Sequence, residues 1–147
     1  MGGNMKGFKQ KNFSDICRQF NWKCTPQRMA VYECVFNNRC HPDVDAVWST
    51  VKAKMPTVTR ESIYRILNEF AGHDLIWRLD HMASARYDSN TQPHGHFICE
   101  SCGAIADFVL QKDIKEFSGL VPGDVRHMEV RFTGVCSDCR ELHDPGK

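Results

Sequence analysis

The stretch QPHGHFICESCGAIADF, residues 92–108, concentrates side chains that bind metals: His94, His96, Cys99, Cys102 and Asp107. His94 and His96 are two residues apart, so on a β-strand both imidazoles face the same side. Asp107 falls on the next strand and can face that side too. Asp88 precedes the stretch, and His41 stands further back, in RCHPDVD. Each Cys-x-x-Cys turn offers two thiolates to one cation, and a second pair, Cys136 and Cys139, lies near the end of the chain. Four thiolates on two tight turns suit a tetrahedral, structural zinc. The pairs are too far apart for a zinc ribbon, which points to two knuckles joined by an intervening fold. A redox-active Cys-x-x-Cys would need a thioredoxin-like βαβ setting, which the pattern lacks.

Catalysis finds no support in the same residues. A zinc deaminase wants His-x-Glu with Pro-Cys-x-x-Cys, and a metalloprotease wants His-Glu-x-x-His on a helix. No Gly-x-Ser-x-Gly and no phosphate loop occurs. The chain is therefore not read as an enzyme, and no small-molecule substrate is expected.

The elements that must position these residues follow from periodicity. NFSDICRQFNWKC carries apolar residues at 13, 16, 17, 20 and 22, a helical stripe. TPQRMAVYECVFNN opens with Thr25 as N-cap and Pro26 at the first helical position. HPDVDAVWSTVKAKM forms a third helix, closed by Pro56. TRESIYRILNEFAG begins at Thr59 as N-cap and stops at Gly72. LIWRLDHMASARYDS then alternates around a small-residue middle, which predicts two strands and a turn. Helices followed by a hairpin make a winged helix-turn-helix, with residues 59–71 as the helix that reads the major groove. Its early polar side chains are Arg60, Ser62, Tyr64 and Arg65. After turn-rich SNTQPHG come strands at 96–99 and 104–109, a helix near 111–119 and a strand near 125–135. The fold class is thus α+β: a winged-helix domain over 1–88, a hinge at 89–95, and a small α/β domain over 96–147. A domain that small needs help from a metal or a partner chain.

The 147 residues and an apolar fraction of 41% allow a real core. No apolar run is long enough to span a bilayer, and MGGNMKGFKQKNF has no apolar segment typical of a secretory signal. Met5 reads as the natural start, with residues 1–4 an added or frayed lead. A cytoplasmic protein is expected. Eight cysteines in such a chain are not a disulfide scaffold. Cys17, Cys24, Cys34 and Cys40 read as small buried hydrophobes. The net charge of +1 hides an asymmetry. Residues 1–90 hold 13 Lys and Arg against 9 Asp and Glu, whereas residues 91–147 hold 6 against 9. A basic first half suits an anionic partner.

Together the motifs TPQR (25–28), HPDVDAVW (41–48), TRESIYRIL (59–67), ARYD (85–88), HGHFICESCGAIADF (94–108) and GVCSDC (134–139) resemble the ferric uptake regulator family of metal-dependent repressors. They occur in family order across roughly residues 12–140. The resemblance implies a homodimer on double-stranded DNA with a palindromic operator. It places a structural Zn2+ on Cys99, Cys102, Cys136 and Cys139, and a regulatory Fe2+ or Mn2+ on His41, Asp88, His94, His96 and Asp107. It makes Lys23 a minor-groove residue and Tyr64 and Arg65 a major-groove pair, with Arg28, Arg60 and Ser62 as further DNA contacts. Asp at both 88 and 107 is similar to the peroxide-sensing branch, in which bound Fe(II) reacts with peroxide and a ligand histidine is oxidised; here the targets would be His41 and His94. The alternative is a repressor of iron uptake that senses the metal alone. Pro93, Gly95 and Met128 stand where an auxiliary metal site would have ligands. Arg65 is closer to the iron-uptake branch. His73, His81, His127 and His143 read as surface residues.

Overall fold

A computed structural model of the chain describes residues 12–37, 40–80, 83–111, 114–125 and 128–143. Residues 1–4, His81 and His127 lie outside them, as does Asn38, expected at the end of the second helix. The chain divides into two compact units, residues 1–91 and 92–147.

In the first unit, α1 (Phe13–Phe20) starts at Asn12, whose side chain accepts from the Ser14 N–H, and buries Phe13, Ile16 and Cys17. It ends at Asn21 with φ 54°, a left-handed conformation that Asn tolerates better than most residues. In α2 (Pro26–Asn37), Thr25 Oγ1 caps the Arg28 N–H at 3.3 Å, and Pro26 sits where a missing donor costs nothing. The third helix, α3 (Val44–Lys54), starts three residues later than His41, because Asp43 caps the Ala46 N–H at 2.8 Å. Helix α4 (Arg60–Gly72) has the expected Thr59 cap. Val31, Val35, Val47, Ile63, Leu67 and Phe70 pack in one core with no exposed surface. Burying side chains of this size contributes about 1.5–3 kcal/mol each. The strands β1 (Trp77–Leu79) and β2 (Arg86–Asp88) pair antiparallel, with Trp77 opposite Asp88. Asn68 of α4 ties this wing down: its Oδ1 accepts from Arg78 Nη1 at 2.7 Å and from the Tyr87 hydroxyl at 3.1 Å. The winged helix-turn-helix layout is present.

The second unit contains β3 (His94–Cys99), β4 (Ile105–Val109), α5 (Ile114–Ser118), β5 (Val130–Gly134) and α6 (Ser137–His143). Its sheet order is β4-β3-β5, antiparallel on one side of β3 and parallel on the other. Strand β3 begins at His94, inside the turn-rich 89–95 segment, because His94 and Gly95 pair with Val109 and Phe108. Helix α6 was not anticipated; a helix of barely two turns is too short for periodicity to reveal. Among the described apolar residues of this unit only Cys99 is fully buried, while Val109, Leu120, Phe132 and Leu142 are exposed.

Gly95 is required by its neighbour. A Cβ there would lie 2.1 Å from the Phe108 ring, which stacks on Phe132 at 5.2 Å. An aromatic ring laid over a strand glycine replaces the missing side chain as cover. Gly95→Ala should therefore push Phe108 off β3 and cost about 1–3 kcal/mol, as overpacking does. Thermal unfolding would show it as a lower midpoint, whereas an unchanged midpoint would mean that Phe108 does not hold the strand.

Candidate metal centres and nucleic-acid surface

The first thiol pair sits where β3 ends. Cys99 pairs in register with Gly134, and its N–H donates to the Ala104 carbonyl at 2.9 Å. Gly103, with φ 73°, closes the turn, and its N–H returns to the Cys99 carbonyl. The second pair spans the start of α6, two residues beyond β5. Parallel pairing of β3 with β5 thus delivers both turns to one end of the sheet. All four Sγ atoms lie within 4.8 Å of one another, with Cys102 and Cys136 at 3.9 Å. Sulfurs in a tetrahedron with Zn–S bonds of ~2.3 Å are separated by ~3.8 Å, so the cage fits a zinc ion. Protons are held unevenly. The Cys136 N–H, 3.3 Å from Cys99 Sγ, and then the Cys102 N–H hold the Cys99 thiol down at about 6. Cys139 is pushed up to about 12, first by its hydrogen bond with Cys136 and then by that with Cys102.

In the first unit, residues 41–43 run beside β2. The Tyr87 N–H donates to the Pro42 carbonyl at 3.0 Å, and Asp43 bridges to Arg86. This pairing sets His41 Nε2 3.3 Å from Asp88 Oδ2, both side chains being almost fully buried. His41 has φ 50°, a left-handed backbone that costs a non-glycine residue roughly 1–2 kcal/mol. Arg86 Nη1 holds its carbonyl at 3.2 Å.

In the second unit, the register sets Asp107 directly opposite His96, with Oδ1 3.4 Å from Nε2. His94 Nε2 and His96 Nε2 approach to 3.0 Å. Metal–nitrogen bonds of ~2.1 Å at right angles would separate two ring nitrogens by ~3 Å, so the pair suits one ion. The Gln92 carbonyl, 2.6 Å from His94 Nδ1, can only accept. Nδ1 therefore carries the proton, and in the neutral ring Nε2 presents its lone pair.

The residues expected at DNA differ in how they are presented. Lys23 is exposed on the loop before α2. Tyr64 is 42% exposed, with the Arg78 guanidinium over its ring. Arg65 is exposed and lies 3.6 Å from Glu61, one turn earlier. Arg60 pairs with Asp45 at 2.6 Å, and Ser62 bonds the Thr59 cap. Arg28 is drawn inward, onto Glu69. Lys23, Arg28, Ser62 and Arg65 line one groove of about 250 Å³.

Sequence reading missed Glu69, Arg86 and Phe108 as supports. Arg86 and Phe108 lay inside quoted motifs without a role, and nothing in the spacing singled out Glu69. Cys24 and Cys40 are exposed rather than buried, and Cys34 is only half-buried; Cys17 alone of the four scattered cysteines is buried. His73 is exposed, as expected of a surface residue, with its ring tilted against Phe20 and edge-on to Trp22, each at 5.0 Å. No described helix is long and apolar enough to cross a membrane.

A sequence model of the ferric uptake regulator family matches residues 19–127. The chain is 31% identical to a peroxide-responsive repressor, PerR, of Staphylococcus epidermidis, covering 84% of this chain and 85% of that one. It is 30% identical to the peroxide operon regulator of Bacillus subtilis, covering 92% and 96%. Its fold is similar to that of the ferric uptake regulator of Helicobacter pylori, with TM-score 0.73, 21% identity and coverage of 88% and 89%. It is similar also to the iron-containing ferric uptake regulator of Francisella tularensis, with TM-score 0.67, 26% identity and coverage of 83% and 97%. The chain belongs to the ferric uptake regulator family.

The thiol cage makes a pH-dependent prediction. Above about 6, Cys99 is already a thiolate, whereas Cys139 keeps its proton until about 12. Filling the cage with zinc must displace at least that proton across the neutral range. Zinc affinity should rise with pH, about tenfold per unit for each proton released. Competition with a chromophoric chelator near neutral pH measures this, and an affinity that does not change with pH would contradict it.

Proposed function

We propose that this member of the family is a dimeric, metal-dependent transcriptional repressor that senses peroxide through oxidation of a ligand histidine. The carrying observation is the donor set. His41 with Asp88 in the first unit, and His94 and His96 with Asp107 in the second, supply imidazoles and carboxylates but no thiolate. Such donors suit Fe(II) or Mn(II), whereas the four thiolates suit Zn(II). Three ligands from one unit would leave the rest of the shell of such an ion to water, and the two from the other unit could take up most of those positions. Shared between the units, the ion would fix the angle between them. Metal binding would then select the conformer whose recognition helices match two half-sites of a palindromic operator.

The chain's own residues set up the sensing step. The Gln92 carbonyl holds His94 with Nε2 facing the site, and Asp107 sits across the strand from His96. Fe(II) held by these residues would supply the redox chemistry that opens the peroxide O–O bond, with the imidazole as the net two-electron donor. The net change adds one oxygen to an imidazole carbon of His41 or His94, and the other oxygen leaves as water. An oxidised ring is a poorer ligand, so the units are no longer held at the DNA-binding angle. Lys23, Arg60, Ser62, Tyr64 and Arg65 form the DNA-facing set in this reading. Exposed Val109, Phe132 and Leu142, on a unit whose described residues bury little apolar surface, supply the apolar surface a second copy would cover.

Operator retention tests the reading. The Fe(II)-loaded protein should release DNA on exposure to peroxide, and the Mn(II)-loaded protein should keep it. Retention by both, with binding still metal-dependent, would favour an iron-responsive repressor of iron uptake instead. Asp107→Glu should preserve metal-dependent binding yet blunt peroxide sensitivity by roughly an order of magnitude, because the longer side chain shifts the carboxylate beside His96. An unaltered peroxide response in that variant would count against the assignment.

A further inference from the structure

Arg28 is the most heavily engaged cation among the described residues of the first unit. Its Nε and Nη2 clasp the Glu69 carboxylate at 3.2, 2.8 and 2.9 Å, and Nη1 donates to the Lys23 carbonyl at 2.9 Å. The guanidinium also lies 5.5 Å from the Trp22 ring centroid. The two charged side chains are 22% and 30% exposed. Such a guanidinium has few donors left for a phosphate.

Its partners belong to two elements with distinct tasks. Glu69 lies on α4, the helix that carries Tyr64 and Arg65. Lys23 lies on the loop between α1 and α2. The Lys23 carbonyl accepts from the Thr25 N–H at 3.0 Å as well as from Arg28. Its neighbour Trp22 stacks on Phe70 of α4 at 5.5 Å with the planes 16° apart. Both residues of the loop are thereby referred to one helix.

We propose that Arg28 is a positioning residue rather than a DNA contact. Clamped by Glu69, it locks the backbone of Lys23 to α4, so the loop cation and the groove-reading side chains meet DNA as one rigid body. This rests on the repressor reading above, in which Lys23, Tyr64 and Arg65 face DNA. Lysine cannot replace Arg28, because an ammonium cannot bond a carboxylate through two parallel N–H groups while reaching a carbonyl with a third.

The test uses the Mn(II)-loaded full-length protein and the inverted-repeat duplex that the wild type enriches from a random-sequence pool. Glu69→Gln, Arg28→Met and Arg28→Lys should each weaken binding by a similar factor, roughly tenfold. The Arg28→Met/Glu69→Gln double variant should be no worse than either single one. The slope of log affinity against log salt should stay at the wild-type value in all of them. Lys23→Met should lower its magnitude by up to ~1.8, one cation being lost from each half-site of the dimer. The swap Arg28→Glu/Glu69→Arg should recover part of the affinity. In the DNA-free protein, Glu69→Gln should speed hydrogen exchange at the Thr25 amide. An Arg28→Met slope reduced by about 1.8, one phosphate contact per protomer, with Glu69→Gln silent, would overturn the proposal in favour of a direct phosphate contact. Unchanged Thr25 exchange in Glu69→Gln would overturn it as well. Failure of the wild type to enrich any duplex would defeat the repressor reading, while Thr25 exchange would still decide the clamp.

Discussion

The two-residue period of strand β3 constrains both candidate metal centres at once. Along His94–Cys99, the imidazoles of His94 and His96 fall on one face, and Gly95 falls on the other under the Phe108 ring. The strand ends in Cys99, one of the four clustered thiols. Pairing with β4 sets Asp107 opposite His96, and pairing with β5 sets Gly134 opposite Cys99, two residues before Cys136. A slip of one residue would turn both imidazoles to the wrong face. Register in this sheet is therefore a functional quantity, and the glycine that admits Phe108 helps to fix it. The sheet does this with little buried apolar surface of its own, so a zinc ion held by the four thiols would serve it as a staple.

The first unit solves a different problem. Asp88 is the last residue of the wing strand β2, and the same strand recruits residues 41–43 beside it. The wing, anchored to α4 through Asn68, thus presents a carboxylate and draws in a histidine. His41 takes a left-handed backbone in the process, although it precedes a proline that favours extended conformations. Strain of this kind persists only where surrounding contacts impose it. Here they are the Arg86 bond to the His41 carbonyl and the Asp88 contact to its ring.

Legibility in the sequence followed the range of the forces involved. Helix starts were readable because caps are local: Thr25 and Thr59 act where their side chains suggested. The third helix began late because Asp43, rather than a residue nearer His41, supplies its cap. The metal-binding residue types were legible because Cys-x-x-Cys and His-x-His carry their geometry within a few positions. The motifs already pointed to one zinc on both cysteine turns, but the parallel β3–β5 pairing between distant segments that brings the turns together left no sign in them. The Arg28–Glu69 clasp, which spans 41 residues, was invisible for the same reason, so Arg28 read only as a DNA contact. Helix α6 escaped because it is too short to display a period.

The most direct measurement is mass spectrometry of the peptides containing His41 and His94. The protein would be loaded with Fe(II) or with Mn(II) and then exposed to peroxide at micromolar levels. The account predicts the gain of one oxygen atom on a histidine in the iron-loaded protein alone, in step with loss of DNA binding. Unmodified histidines in an iron-loaded protein that has nonetheless released its DNA would contradict it.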